Sequence, residues 1–238
     1  MGVAALAIDE WISDKELHEL SLGFEAEAPQ TVLRWAVEEF GEDVALATGF
    51  GAEGCVLVHM LSVIKPDVRI FYLDTDLLFP ETYALRDELE ERYGVRFERR
   101  TSKLSLEAQA QQYGERLWEG QPDLCCQLRK VEPLQQIVEE LSAWITAIRR
   151  DQTPARASAG IVERDQKFGL VKINPLASWS SIDVWNYIVK HDVPYNPLHD
   201  AGYSSIGCRP CTTPVQIGED ARAGRWRGAC KTECGLHQ

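Results

Sequence analysis

No stretch of this 238-residue chain stays apolar long enough to span a bilayer, which argues against an α-helical membrane protein. Positive charge is also short: Lys and Arg total 25 against 37 Asp and Glu, a formal net charge of −12. A general nucleic-acid surface needs the opposite balance, so no nucleic-acid partner is expected. The opening Met-Gly-Val-Ala-Ala-Leu-Ala-Ile has no basic segment before its apolar run and does not read as a secretory signal. Position 6 holds Leu6 rather than Ser or Thr, which argues against myristoylation. There is no internal repeat, no low-complexity segment, no Walker loop and no dinucleotide fingerprint. Seven cysteines, an odd number without an export signal, point to a reducing cytoplasm where thiols serve metal or redox chemistry.

What is present is ordinary globular composition, 45% hydrophobic and 26% charged, enough for one large domain with a proper core. Residues 9–40 read as two helices, the second opened by Pro29 and striped by Val32, Leu33, Ala36, Val37 and Phe40. Short apolar strands are expected over 43–48, 68–73, 95–99 and 144–149. Helices are expected over 55–64 and 80–93, and around 104–112 and 127–142. Segments 161–164 and 168–173 suggest a hairpin or paired edge strands, and Ser180 with Asp183 a capping box opening a helix to about Val189. Continuous rather than alternating apolar strands, separated by helices, predict an α/β fold with a mostly parallel sheet covered on both faces. The domain is expected over 1–214, with a mobile tail over 215–238.

The residues that bear chemistry fall into a few groups. Cys125 and Cys126 are adjacent, and Cys208 and Cys211 form a C-x-x-C. Four thiolates in two pairs suit an iron–sulfur cluster or a structural zinc. A vicinal pair is awkward on one tetrahedral ion and easier on two irons of a cubane, but spacing alone leaves cluster, zinc and disulfide open. Loop 48–54 follows a strand and opens a helix, where backbone N–H groups can meet a phosphate; an ordinary Gly-rich turn reads equally well. Leu73 and Asp74 end the next strand, on the edge where open α/β sheets collect ligands. Arg149, Arg150 and Arg156 follow the fourth strand, and Arg222, Arg225 and Arg227 crowd the tail. Such forks suit phosphate or sulfate oxygens, against the alternative of surface ion pairing. Cys234, near basic residues and His237, is a candidate low-pKa nucleophile or a plain terminal thiol. Cys55 reads as a packed core thiol.

Three segments carry a resemblance: Cys-Cys-Gln-Leu-Arg-Lys-Val-Glu-Pro-Leu at 125–134, the run from Val193 to Thr212 containing Gly-Cys-Arg-Pro-Cys, and Glu-Cys-Gly-Leu-His at 233–237. With Leu-Asp-Thr at 73–75 and Arg-Arg-Asp-Gln at 149–152, they resemble the iron–sulfur, thioredoxin-dependent adenylylsulfate (APS) reductases of the APS/PAPS reductase family. The resemblance covers nearly the whole chain from about residue 40. It implies an adenine nucleotide α hydrolase-like sheet with a modified pyrophosphate loop at Thr48–Gly54, and reduction of APS to sulfite and AMP in assimilatory sulfate reduction. By the same resemblance Cys125, Cys126, Cys208 and Cys211 would hold one [4Fe–4S] cluster. Cys234 would be the nucleophile that forms an S-sulfocysteine, discharged by thioredoxin or a similar dithiol protein. Gly49, Phe50, Gly51, Glu53, Leu73 and Asp74 would hold the nucleotide, and Lys130, Arg150, Arg156, Arg222 and Arg225 would neutralise its anions. The tail would close over the substrate and then swing out.

Three departures from the family pattern stand out. Gly54 replaces a carboxylate, the stretch from Arg225 to Cys234 is shorter and poorer in Trp, and Cys230 is extra. Cys230 is either a resolving thiol or an inert neighbour. The rival readings are a PAPS or dual-substrate reductase, an ATP-using pyrophosphatase-loop enzyme that adenylates its substrate, and a non-catalytic zinc module. Homo-oligomerisation is left open.

Overall fold

The protein is described by a computed structural model covering residues 12–229, 231 and 233–236. Cys230 and His237, like the opening residues read above for signal or lipid, lie outside the described residues.

Two N-terminal helices, α1 (Asp14–Gly23) and α2 (Pro29–Phe40), precede the sheet. Ser13 and Glu16 close a capping box on α1. Pro29 supplies the first turn of α2, the expected stripe from Val32 to Phe40 is buried, and Gly41 at φ +57° ends the helix. Strand β1 (Val44–Ala47) leads through loop 48–51 into α3 (Ala52–Ile64). Then come β2 (Arg69–Asp74), α4 (Pro80–Tyr93) and β3 (Phe97–Thr101). After α5 (Leu106–Tyr113) and α6 (Leu117–Gly120), α7 (Pro122–Cys126) runs through a π-helical turn, Gln127–Val131, into α8 (Glu132–Val138). The sheet is completed by β4 (Ala143–Ile145), β5 (Val162–Arg164) and β6 (Val171–Ile173), and α9 (Ser181–His191) opens on the expected capping box.

The described residues form a six-stranded sheet in the order β3-β2-β1-β4-β6-β5. Every pairing is parallel except β5 with β6. The expected hairpin is there, but β6 is interior: it lies parallel to β4 and only β5 forms the edge. Alternate residues of each central strand enter two cores. Val44, Leu46, Ile70, Tyr72 and Ile145 face one, while Ala45, Phe71 and Trp144 face the other with Leu134, Ile137 and Leu170. Burial on both faces is why these strands read as continuous apolar runs. The chain moves outward from β1 through β2 to β3, then restarts on the other side of β1 at β4. That reversal opens a crevice at the carboxyl ends of β1 and β4, the usual ligand position of such sheets.

Helix α3 starts three residues before the expected Cys55, because Gly51 serves as its N-cap and the glycine at 54 is needed for close packing. A Cβ on Gly54 would lie 2.6 Å from the Thr48 hydroxyl, which in turn accepts the Phe50 N–H at 3.1 Å. The missing carboxylate at 54 thus has a local steric partner in Thr48. Strand β4 is shorter than expected, ending at Ile145. No helix among the described residues is long and apolar enough to cross a membrane. The described residues of the 215–238 segment lie against the domain. Arg225 bridges Thr212, the Trp226 N–H reaches the Cys211 carbonyl at 2.9 Å, and Arg227 pairs with Glu219 at 2.8 Å.

Candidate active site

The site begins with a proline. Pro133 sits in the first turn of α8 and has no N–H to offer the carbonyl of Arg129, against which its ring would press in a regular helix. The π-helical turn Gln127–Val131 widens the helix at that point and changes which side chains face inward. Cys125 and Cys126 end the preceding turn, Arg129 is buried, and Lys130 enters the same cavity as both cysteines. Cys208 and Cys211 line that cavity from the opposite side, carried on the short 3₁₀ turn Arg209–Cys211. The Arg209 N–H to the Leu77 carbonyl, 2.7 Å, ties this turn to the chain beyond β2, and the Thr75 hydroxyl lies 3.2 Å from the Cys208 sulfur. All four expected thiols therefore meet around one cavity, closed by Trp118 and Trp226.

Arg129 holds this arrangement to the sheet. Its guanidinium donates to Gln109 at 2.7 Å, the Thr75 carbonyl at 3.1 Å, Asp76 at 3.0 Å and the Leu104 carbonyl at 3.3 Å, with 1% of the side chain exposed. Four acceptors from three segments are thus satisfied by one planar fork.

The thiols test what the cavity suits. Burial, then repulsion from Cys126, Cys208 and Cys211, pushes the Cys125 thiol up to about 12. Burial and Cys208 push Cys211 up to about 11, against the pull of Lys130. Thiols raised in this way ionise together only around a cation, which would deprotonate them outright. Among the described residues no three Cys, His, Asp or Glu converge tightly enough for a single metal ion. The donor set is all sulfur and lines one cavity, a chemistry that suits an iron–sulfur group or a structural zinc.

Cys234 behaves differently. It is partly buried, and burial pushes its thiol up. Lys130, a backbone contact from Leu236 and the Arg225 guanidinium more than offset that and hold it below the ordinary thiol range. Burial works against the charge on Lys130 in turn, but the Cys208 and Cys234 thiolates raise its pKa overall. Lys130 thus stands electrostatically between the four-cysteine cavity and the lone sulfur. Arg225 stacks its guanidinium over Trp226, 4.5 Å from the ring centroid, and lies across the face of Gly207, where a Cβ would collide with it. Its Nη1 reaches the Ser205 hydroxyl at 3.2 Å, and its buried Nε has no hydrogen-bond partner among the described residues. Arg156 and Arg222 converge on Glu233, beside Cys234. Lys167 donates to the Gly235 carbonyl at 2.5 Å, and Leu236 packs on the core around Trp144, which fixes the tail's path.

The other expected site residues have the following neighbours. Arg150 points outward, paired with Glu25 at 2.5 Å and donating to the Ala159 carbonyl at 2.7 Å. Its neighbour Arg149 turns toward the first turn of α3, with Nε 2.9 Å from Glu53. Successive residues of an extended chain face opposite ways, and Arg149 is extended at φ −122°, ψ 144°. Glu53 is accordingly engaged by Arg149 and by Gln152 at 3.1 Å. Asp74 is buried and held by Tyr83 at 2.7 Å, Arg99 at 2.6 Å and the Asp76 N–H at 2.9 Å. Burial raises its pKa, but Tyr83, Arg99 and the backbone outweigh that and lower it. Phe50 places its ring in the core against Tyr72 and Phe97, with a left-handed backbone at φ +57°. Gly49, Gly51 and Leu73 line the ends of β1 and β2, where backbone rather than side chain meets the crevice. Cys55 is fully buried, and its thiol is pushed up by burial.

Replacing Lys130 by Gln removes a positive charge that stabilises the Cys234 thiolate, so its pKa should rise. The pH at which Cys234 is alkylated at half its maximal rate should move upward. An iodoacetamide rate profile across pH reads this directly; an unchanged profile would assign the depression to other groups.

Residues 43–214 match the family model described as the phosphoadenosine phosphosulfate reductase domain. A Salinibacter ruber protein named adenosine 5′-phosphosulfate reductase is 50% identical, covering 98% of this chain and 94% of its own. One of the same name from Halalkalibacterium halodurans is 46% identical over 93% and 96%. Among solved structures, a phosphoadenylyl-sulfate (PAPS) reductase from Candida auris, as a phosphate complex, superposes with a TM-score of 0.76. It is 35% identical and covers 86% of this chain and 98% of that one. FMN adenylyltransferase of Candida glabrata is 14% identical, with a TM-score of 0.57 over 83% and 73%, and shares the fold alone.

Proposed function

The chain belongs to the phosphoadenosine phosphosulfate reductase family, and within it we propose that it reduces adenosine 5′-phosphosulfate to sulfite and AMP in sulfate assimilation. A thioredoxin-like dithiol protein would supply the electrons. The observation that carries this reading is the convergence of Arg156 and Arg222 on Glu233, the residue before Cys234, with Lys130 acting electrostatically on Cys234 from a cavity lined by Cys125, Cys126, Cys208 and Cys211.

The chemistry follows from those groups. The Cys234 thiolate attacks the sulfate sulfur, the bond from that sulfur to the bridging oxygen breaks, and AMP leaves with its phosphate carrying the electron pair. Lys130 and Arg225 stabilise the negative charge that gathers on the sulfonate and leaving phosphate. Arg156 and Arg222 receive the substrate's anionic groups, and loop 49–51 with the end of β2 receives the nucleoside through backbone. The product on the protein is a Cys234 S-sulfonate. A dithiol partner attacks the Cys234 sulfur and expels sulfite. Its second thiol then opens the mixed disulfide, returning the Cys234 thiolate and leaving the partner oxidised by two electrons. Release of Cys234 from its contacts with the domain would let it meet that partner.

Cys125, Cys126, Cys208 and Cys211 would hold one [4Fe–4S] cluster, whose contribution when bound is a fixed charge distribution beside Lys130. The six described cysteines are all free, which suits the reducing cytoplasm. The second reading is reduction of PAPS, favoured by the likeness to the Candida auris enzyme. Anaerobically purified protein should contain about four irons and matching acid-labile sulfide per chain; a single zinc would refute the cluster. Incubation with labelled APS or PAPS, without thioredoxin, should leave a sulfonate mass on Cys234. No label from either nucleotide would refute the reductase reading, and label from PAPS alone would make the second reading the correct one.

A further inference from the structure

Glu233 is the residue before Cys234, and its carboxylate is 5% exposed. It accepts from Arg156 through Nε at 3.0 Å and Nη2 at 2.8 Å, from Arg222 Nη2 at 3.2 Å and from the Thr153 hydroxyl at 3.1 Å. Two guanidinium forks and a hydroxyl converging on one anion are the donor set that takes a phosphate or sulfate. Here a carboxylate of this chain fills it. The donors come from two places, the loop after β4 and the tail, so the carboxylate also fastens one to the other.

We propose that Glu233 is an internal competitor for the anion-binding side chains, holding Arg156, Arg222 and Thr153 until the anionic groups of a nucleotide displace it. The proposal rests on the reading above, that these arginines receive the substrate's anions. Its physical logic is charge exchange. Two shielded guanidinium groups stripped of their counter-ion would carry a severe desolvation penalty, so one anion must arrive as the other leaves. Those contacts fasten the residue before Cys234 to the loop after β4, so the exchange couples nucleotide entry to release of the nucleophile's segment from that loop. The cost of ejecting Glu233 is subtracted from nucleotide affinity, and that is what can be measured.

AMP and adenosine binding should be compared by calorimetry in the wild-type protein, Glu233→Gln, Arg156→Gln and Glu219→Gln. Glu219 is on the same tail, pairs with Arg227 away from the site, and controls for loss of one negative charge. Glu233→Gln should bind AMP about tenfold tighter, equivalent to about 1.4 kcal/mol, with adenosine unchanged and Glu219→Gln like wild type. Unchanged or weaker AMP binding in Glu233→Gln would overturn the proposal, as would equal tightening in Glu219→Gln. Arg156→Gln separates the two layers. If it weakens AMP binding tenfold while Glu233→Gln tightens nothing, only the competitor role fails. If it leaves AMP binding unchanged, the assignment of these arginines to the substrate fails.

Discussion

Cys234→Ser should abolish turnover, by at least about three orders of magnitude, while leaving AMP affinity and iron content as in the wild type. The expectation follows from the separation of the two sulfur sets. The four cavity cysteines sit on α7 and on the Arg209–Cys211 turn, anchored to the sheet by Arg129 and Leu77. Cys234 sits on the tail, tied through Glu233 and through the Lys167 contact to Gly235. A serine hydroxyl is a far weaker nucleophile than a thiolate held below its ordinary pKa, yet occupies nearly the same space. Turnover with thioredoxin, calorimetric AMP binding and iron analysis on one preparation give the three readings. Residual activity near the wild-type level would move the nucleophile elsewhere. Loss of iron would mean that Cys234 supports the cavity cysteines.

Arg129→Met should destabilise the protein by about 3–5 kcal/mol, seen as a fall of about 10 °C in the thermal midpoint. The thioether cannot donate, so Gln109 Oε1 and the carbonyls of Thr75 and Leu104 lose their partner in a buried place, and the Asp76 carboxylate loses its cation. An exposed pair such as Arg227 with Glu219 should cost under about 1 kcal/mol when broken. A midpoint within about 2 °C of wild type for Arg129→Met would mean that water replaces the lost contacts.

The sequence carried the α/β architecture in its strands, because a parallel sheet covered on both faces demands apolar runs, and 44–47 and 70–73 are such runs. It also carried the four-cysteine set, since paired spacing reflects local turns. It did not carry the choice between Arg149 and Arg150, which depends on where an extended segment twists after β4. Glu53 and Asp74 were expected at the ligand, but acidic type alone does not reveal that Arg149 and Arg99 already claim them. Arg129 could have been suspected from Pro133, four residues on, because a proline there calls for a widened turn. Glu233 carried no signal of its own; its partners are distant in sequence and meet it only in the folded chain.

The position of Trp226 sets a leash. Trp226 lines the cysteine cavity, its backbone N–H is bonded to the Cys211 carbonyl, and its φ is +47°, so this residue stays with the domain. Whatever excursion Cys234 makes to meet a reductant must be paid out by the few residues beyond it, at most about 3.5 Å of reach for each. A docking protein must therefore bring its own thiol to within some 30 Å of that indole. The four-cysteine cavity can keep its Trp226 wall throughout, so such docking need not open it to solvent.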